Sequence, residues 1–582
     1  MKKIVLFVSL LFFSFLYSEI ELIYSSFFGT EQDDDIQSAC EGPDGSIYIV
    51  GNLGEEKKIN IKKFIYGKEI TQPNCGIAFI MRLSPDLKRI INYAEFKKGI
   101  AIFTTVKVNK FGVYVGGYAT EELEDIIKNL PGIIKTYPLK EEMKLIKEGK
   151  ILEKNGIFSE KDPIADRPHL GRYGAPFVVL LSHDLGKILG GTYLEGWQQV
   201  WDKDRVKRIK PREFFDKEFF WQKTLIDFDN EGNVILCHDG GYFKIISDEE
   251  KEKAKKISGE DQEKYKKLVQ KIGFYDVPDF VSKLTSDLSK RFWKTPIYTP
   301  IVNVDVAKEI KDGWYLPHYG NPRTHQLRVD KNHNIWICGW SASATKAEPW
   351  WSPYLIKIDS KEGKILQRLY EYDPMSGDDN RMFGQVADTA ITCFNFDKED
   401  KMLIGLLSDG GNTVMWWSPK GELRKKFEGE IKGDKFVKLV HWWGMIHKID
   451  LEKIEGIIGV GMTSKGVDAP GPAWAVDLGI LNDNSILVVG RCNHEFYWSE
   501  DAFQKSSSEE NPIGFIRIYS KDFDLKFSSA LPGVIPLELI PLSGKRYLIV
   551  GYALNPSLNT KNEFEKYNLK KDGFIYLIKE KE

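Results

Sequence analysis

The sequence is poor in the features that announce a ready-made activity. Its 582 residues carry 82 Lys and Arg against 84 Asp and Glu, a net charge of −2, so no overall field recruits nucleic acid or an anionic membrane. No HExxH, GxSxG or P-loop occurs, which removes the common metallopeptidase, α/β-hydrolase and NTPase signatures. CxxC and CxxCH are also missing, so a zinc ribbon and c-type haem attachment are unsupported and no metal or cofactor is expected. The run Asp33-Asp34-Asp35 lacks the spaced ligands of a calcium loop and reads as a turn. After residue 18 no apolar stretch reaches membrane-spanning length, so no integral span is expected once the leader is gone.

That leader is the first positive feature. Residues 1–18, MKKIVLFVSLLFFSFLYS, pair two lysines with an apolar run and end on a small residue, the pattern of a secretory signal with cleavage after Ser18. An uncleaved anchor is the alternative. Export to the periplasm, the cell surface or the medium is the expectation, and it makes disulfides chemically permissible. Of the six cysteines, Cys40, Cys237, Cys338 and Cys393 fall in strand-like phrases and read as buried thiols, whereas Cys75 and Cys492 read as loop residues.

The remaining 564 or so residues repeat themselves. A strand, a polar turn and a strand ending near Gly recur as PDGSIYIVG (43–51), NKFGVYVGG (109–117), DNEGNVILCHDGG (229–241), DKNHNIWICG (330–339), DKEDKMLIG (397–405), NDNSILVVG (482–490) and SGKRYLIVG (543–551). A second phrase, strand, Ser- or Asp-bearing turn, strand, follows most copies, as in FIMRLSPDLKRIINYAEF (79–96) and FVVLLSHDLGKILGGTYL (177–194). Four strands per unit make one propeller blade. The expected fold is therefore all-β: a single seven-bladed β-propeller over residues 19–582. Residues 437–461 leave an eighth blade open. The C-terminal FIYLIKEKE (574–582) is a third strand without a fourth, and IELIYSSFFG (20–29) resembles a fourth without a third. Pairing the chain ends would close the ring and remove two sheet edges.

If strands are lettered a to d outward from the axis, the a–b and c–d turns are short, and every sizeable insertion falls on the opposite face. Two insertions, 121–176 and 247–310, contain charged, helix-compatible runs expected to form helices on that face. Elaborated loops on a rigid scaffold are where binding residues concentrate. Residues just past each second strand, His238, Asp239, Trp340, Asp409, Arg491 and His494, together with His318 and Arg381 from d–a connections, are the candidate ligand-binding set. The mixture of aromatic, amide and charged groups suits a polar ligand such as a glycan, peptide or protein. Each also has a structural reading, as turn device, inter-blade packing or satisfied core histidine.

The phrases DDDIQSACEGPDGSIYIVGN, APFVVLLSHDLGKILGGTYLEG and LIYSSFFG resemble the bacterial secreted β-propeller repeat (SBBP-type) proteins. The second half, including CGWSASATKAEPWWSPYLIKID, is similar to exported propeller proteins of environmental bacteria. The resemblance implies a propeller and an exported location, and it supplies no catalytic residue. The functional expectation is a binding or scaffold protein, with a glycan-active hydrolase or lyase as the alternative.

Overall fold

Each repeat folds into an antiparallel four-stranded sheet, and the sheets stand side by side around one axis. The computed structural model describes residues 19–59, 61, 63–66, 77–97, 100–138, 151–152, 173–195, 198–199, 223–238, 244–245, 279–297, 299–300, 319–342, 351–370, 389–408, 419–420, 427–433, 443–462, 473–492, 497–505, 513–554, 556, 561 and 571–581.

From the axis outward, blade 1 is Asp35–Glu41, Ile47–Leu53, Ile77–Leu83 and Ile90–Phe96. Blade 2 is Ile100–Asn109, Gly112–Ala119, Tyr173–Leu181 and Ile188–Tyr193. Blade 3 is Leu225–Phe228, Val234–His238, Asp279–Leu284 and Arg291–Ile297. Blade 4 is Tyr319–Val329, Ile335–Ala342, Trp351–Ile358 and Ile365–Leu369. Blade 5 is Thr389–Phe396, Met402–Ser408, Trp443–Asp450 and Glu455–Met462. Blade 6 is Ala473–Ile480, Ile486–Cys492, Ile513–Tyr519 and Leu525–Pro532. Blade 7 takes Val534–Leu542, Arg546–Leu554 and Lys571–Glu580 from the C-terminus and its outer strand, Ile20–Phe28, from the N-terminus. That last pairing runs from Ile20 opposite Glu580 to Phe28 opposite Gly573, so the chain ends close the ring as expected.

Three sequence expectations need correction. Residues 443–462 are the outer two strands of blade 5, so the count is seven and the open eighth blade disappears. Residues 279–297, within the insertion expected to be helical, are the outer strands of blade 3. Their turn Thr285-Ser286-Asp287-Leu288 repeats the Ser84-Pro85-Asp86-Leu87 and Ser182-His183-Asp184-Leu185 turns. In all three the Leu adopts a left-handed φ near 60° and is buried beneath the hairpin. Cys492, read as a loop thiol, is buried at the end of a second strand. The first insertion carries the helix Leu123–Ile127, and Pro138 is helical as well.

The hydrophobic core is divided into layers, one at each of the seven seams between adjacent blades. This is why second strands such as Ile47–Leu53 and Ile486–Cys492 are buried along their whole length. Packed on both sides, they read as continuous apolar runs and not as alternating ones. The outer edges of four blades are covered too. In blades 1 and 5 the b–c connection reaches round to pair in parallel with the outermost strand, through Lys63–Tyr66 and Glu430–Gly433. Single bridges from Ile134 to Tyr193 and from Lys561 to Ser25 do the same in blades 2 and 7. Covered edges cannot template pairing with another chain.

Candidate functional site

The innermost strands touch one another in sequence around the axis, from Asp35–Glu41 through Ile100–Asn109, Leu225–Phe228, Tyr319–Val329, Thr389–Phe396 and Ala473–Ile480 to Val534–Leu542, which touches the first again. Each pairs with its second strand on one side, and on the other edge only Tyr319–Val329 has a short further partner, Thr299–Pro300, among the described residues, so most amides there need partners from elsewhere. The sequence supplies them as polar side chains, and every seam has one. The Ser38 hydroxyl accepts from the Val106 amide at 3.3 Å, and Thr104 accepts from Thr224 at 3.2 Å. The Asp227 carboxylate accepts from Val329 at 2.9 Å, and the Gln326 carbonyl from Phe394 at 2.6 Å. Asn395 donates to the Leu478 carbonyl at 2.7 Å. Asp477 accepts from Leu539 at 3.1 Å, and Glu538 from Ala39 at 3.3 Å.

Six of these seven strands carry a β-bulge at the same place, at Gln37, Thr104, His325, Thr392, Val476 and Leu537. A bulge frees one residue from the ladder and re-aims it. Thr104 and Thr392 turn back to cap the Gly116 and Gly405 carbonyls. His325 instead bridges blades: Nδ1 lies 2.9 Å from the Ile391 carbonyl and Nε2 lies 3.1 Å from the indole Nε1 of Trp340. An indole N–H only donates, so Nε2 accepts and the proton sits on Nδ1, donated to Ile391. Burial, with Lys223 and Arg323 nearby, pulls the His325 pKa down to about 4, which keeps this tautomer neutral.

Across the axis, blade 4 is braced to blade 6. Gln326 Nε2 and an Arg328 nitrogen both donate to Asp477 Oδ1, at 2.9 and 3.1 Å, and Arg328 Nε donates to the Phe394 carbonyl between them. Lys107 of blade 2 feels Glu538 of blade 7, Cys40 of blade 1 and Asp227 of blade 3. Burial alone would lower its pKa, but these neighbours more than offset that and raise it. Lys223, just ahead of the blade 3 innermost strand, goes the other way. Burial lowers its pKa, with Arg491 and Lys107 adding repulsion against the pull of Glu538 and Asp477. Both lysines are half-buried.

The residues expected to bind ligand are placed as follows. Trp340 is buried against its own blade's bulge through His325. Arg491 is buried and clamps the Pro536 carbonyl of blade 7 through Nε and a terminal nitrogen, at 3.2 and 3.1 Å. It still faces Lys223 electrostatically. His238 is buried at the end of a blade 3 strand, its ring 5.7 Å from that of Phe280. It also acts on Glu195: burial would raise that carboxyl, but Arg291, His238 and Lys294 hold it at about 2. Asp239, Asp409, His494, His318 and Arg381 lie outside the described residues. Thus convergence on the axis from non-adjacent blades is present, but Lys107, Lys223, Asp227, Arg328, Asp477 and Glu538 carry it. For five of them the signal in the sequence is a charge within a largely apolar strand phrase, as in TTVKVN, TLIDFD, HQLRVD, AVDLGI and PLELIP, and Lys223 stands just ahead of TLIDFD.

With the ring and its charged axis in view, the class is a seven-bladed β-propeller. No known protein family matches the sequence, and no curated protein does. Solved structures match in architecture. A polysaccharide lyase, an ulvan lyase bound to a GlcA-Rha3S unit, shares 8% identity over 97% of this chain and 96% of its own, with a TM-score of 0.43. A quinohemoprotein alcohol dehydrogenase from Pseudomonas putida shares 10% identity over 97% and 76%, with a TM-score of 0.38. An endo-arabinase from Bacteroides thetaiotaomicron shares 8% over 61% and 92%, with a TM-score of 0.26. The likeness extends to the fold and no further.

Proposed function

We propose that the chain is an exported propeller that binds a polar ligand (glycan, peptide or protein) at the axial mouth of its loop-bearing face. The observation that carries this reading is how the axial groups are occupied. Asp227, Asp477 and Glu538 accept from seam amides, and both nitrogens of His325 are committed to structural contacts. A general acid or base must be able to exchange its proton with a substrate, and these groups are held by the scaffold. What remains is a polar, cationic wall suited to recognition. Arrays of glycans and peptides probed with the purified protein test the reading. Saturable binding that protects the innermost strands from hydrogen exchange supports it, and the absence of any bound ligand refutes it.

One observation favours the alternative of a glycan-active hydrolase or lyase. Lys223 is held below the ordinary lysine pKa, the direction that makes an amine a better base near neutrality. Release of new reducing ends from a bound glycan, lost in Lys223→Gln, would establish that reading in place of the first. Export is tested separately: mass spectrometry of the native protein should give a chain starting at Glu19.

A further inference from the structure

We propose that Lys107 and Lys223 form an anion seat in the axial channel, taking a carboxylate or sulfate group of the bound ligand. The seat presupposes the binding mouth proposed above and adds the chemical group held there.

Enclosed lysines elsewhere among the described residues are paired directly with acids or, like Lys135, held by several backbone carbonyls. Lys63 meets Glu95 at 2.7 Å, Lys283 meets Asp229 at 2.8 Å, and Lys448 meets Asp397 at 2.6 Å. The two axial lysines depart from that rule. Among the described residues Lys107 has neither a hydrogen bond nor an ion pair, and Lys223 has a single long hydrogen bond, 3.5 Å to the Gln37 carbonyl. The acids nearest them are Glu538, Asp227 and Asp477, and all three are already accepting from backbone amides at the seams. Asp477 is further neutralised by Arg328 at 3.1 Å, while Arg491 adds positive charge beside Lys223. Among the described residues the axis therefore carries Lys107, Lys223, Arg328 and Arg491 against Asp227, Asp477 and Glu538, an excess of cations. Burial and like charge penalise the Lys223 ammonium, and an oxyanion relieves that penalty together with the lysine–lysine repulsion. An ammonium is a compact point charge with donors it can rotate, so it suits carboxylate and sulfate alike without demanding a flat bidentate geometry. Because burial and like charge lower the pKa of Lys223, anion affinity should fall as pH rises and that amine loses its proton. The charged groups facing it are Glu538, Asp477, Arg491 and Lys107, with Arg323 beyond His325.

Calorimetric titration at low ionic strength tests the seat. Polygalacturonate supplies carboxylates, dextran sulfate supplies sulfates, and plain dextran is the neutral control. Both charged polymers, or one of them, should bind the wild-type protein more tightly than dextran, and which one binds identifies the anion. Lys107→Gln and Lys223→Gln should each weaken that binding by roughly 10- to 100-fold, the usual worth of a charge-assisted hydrogen bond. Lys331→Gln, at an exposed surface pair with Asp400, should leave it unchanged. Lys223→Gln should also melt no lower than wild type, because the charge it removes is disfavoured in the fold. The seat is overturned if the double variant binds the anionic polymers as tightly as wild type, if dextran binds equally well, or if Lys223→Gln lowers the melting temperature by several degrees. Equal dextran binding by wild type and double variant would remove the seat and leave the binding mouth standing. Folded wild-type protein that binds neither these polymers nor any array ligand would overturn both.

Discussion

Removing residues 19–29 should unfold the propeller, not trim it. The segment is the strand that closes the ring, and its Ile20, Tyr24, Phe27 and Phe28 are all buried. Phe27 and Phe28 sit in different seams: Phe27 in the layer between blades 6 and 7, Phe28 in the layer between blades 7 and 1. Fully burying a large apolar side chain contributes about 1.5–3 kcal/mol, so the four together contribute about 6–12 kcal/mol. That is comparable to the whole net stability of a typical domain, about 5–15 kcal/mol. Deletion also strips the ladder partner from Lys571–Glu580 and exposes it as an edge. A single substitution grades the effect. Phe28 packs 5.1 Å from the Phe79 ring and 6.4 Å from Tyr93, so Phe28→Ala should cost about 3–5 kcal/mol. Urea unfolding followed by circular dichroism reads both changes. A chain lacking 19–29 that unfolds at the urea concentration of the full chain would refute the closure argument, as would a Phe28→Ala midpoint equal to wild type.

Two ionisable groups should give opposite pH dependences. Burial raises the Asp34 pKa to about 7, and Asp34 shares the space around Gly29 with Asp572, where any side chain at Gly29 would collide with both carboxylates. A raised acid stabilises the fold below the ordinary carboxyl range, and that stability is lost as pH rises from about 4 through about 7, on the order of 4 kcal/mol at the limit. Asp34→Asn should therefore flatten the fall in stability between pH 5 and pH 8 in urea titrations, and an unchanged slope would contradict the assignment. His325, lowered to about 4, runs the other way: its stability is present above the usual histidine pKa and is lost as pH falls through about 4. His325→Gln should be less sensitive to acid than wild type between pH 6.5 and pH 4, and equal sensitivity would count against a neutral bridging histidine. Asp477→Ala should cost about 3–5 kcal/mol because Arg328 loses its buried carboxylate and the Leu539 amide loses its acceptor. Asp477→Asn, able to keep one amide bond, should cost less, and a ranking in the opposite order would undo the brace.

Much of the fold was legible because its cause is local. Each hairpin announces itself through alternation, a polar turn and a Gly-terminated second strand. The repeat then fixes the ring, and the mismatched chain ends fix its closure. Misreadings arose where an insertion separated a blade's halves. Asp279–Ile297 follows a long, charged segment, and its Lys and Ser residues resemble a helix surface until the Ser/Thr-x-Asp-Leu turn is recognised. Trp443–Met462 reads as surplus because VMWWSPKGELRKKF (414–427) offers the same strand, turn, strand pattern earlier in the sequence. The site was less legible. Its members are scattered singly over strand phrases of five blades that are otherwise largely apolar, whereas the residues past each second strand stand out in clusters such as RCNHEF.

A polar axis is in itself weak grounds for function in a ring of this kind. Each innermost strand has a largely unpaired edge, so the architecture demands acceptors there whether or not anything binds. Ser38, Thr104, Asp227, Gln326, Asp477 and Glu538 meet that demand with one acceptor per seam, and Asn395 meets the remaining seam as a donor. The N–H groups of that edge call for acceptors and its carbonyls for donors, and Lys223 meets one carbonyl, that of Gln37, only at 3.5 Å. Lys107 and Lys223 satisfy no seam amide, and among the described residues neither lies in an ion pair. Stability alone would favour replacing Lys223 with a neutral side chain, since burial penalises its charge. Among the described residues the two axial lysines are in excess of what the seam amides require, and a bound anion gives that excess a role.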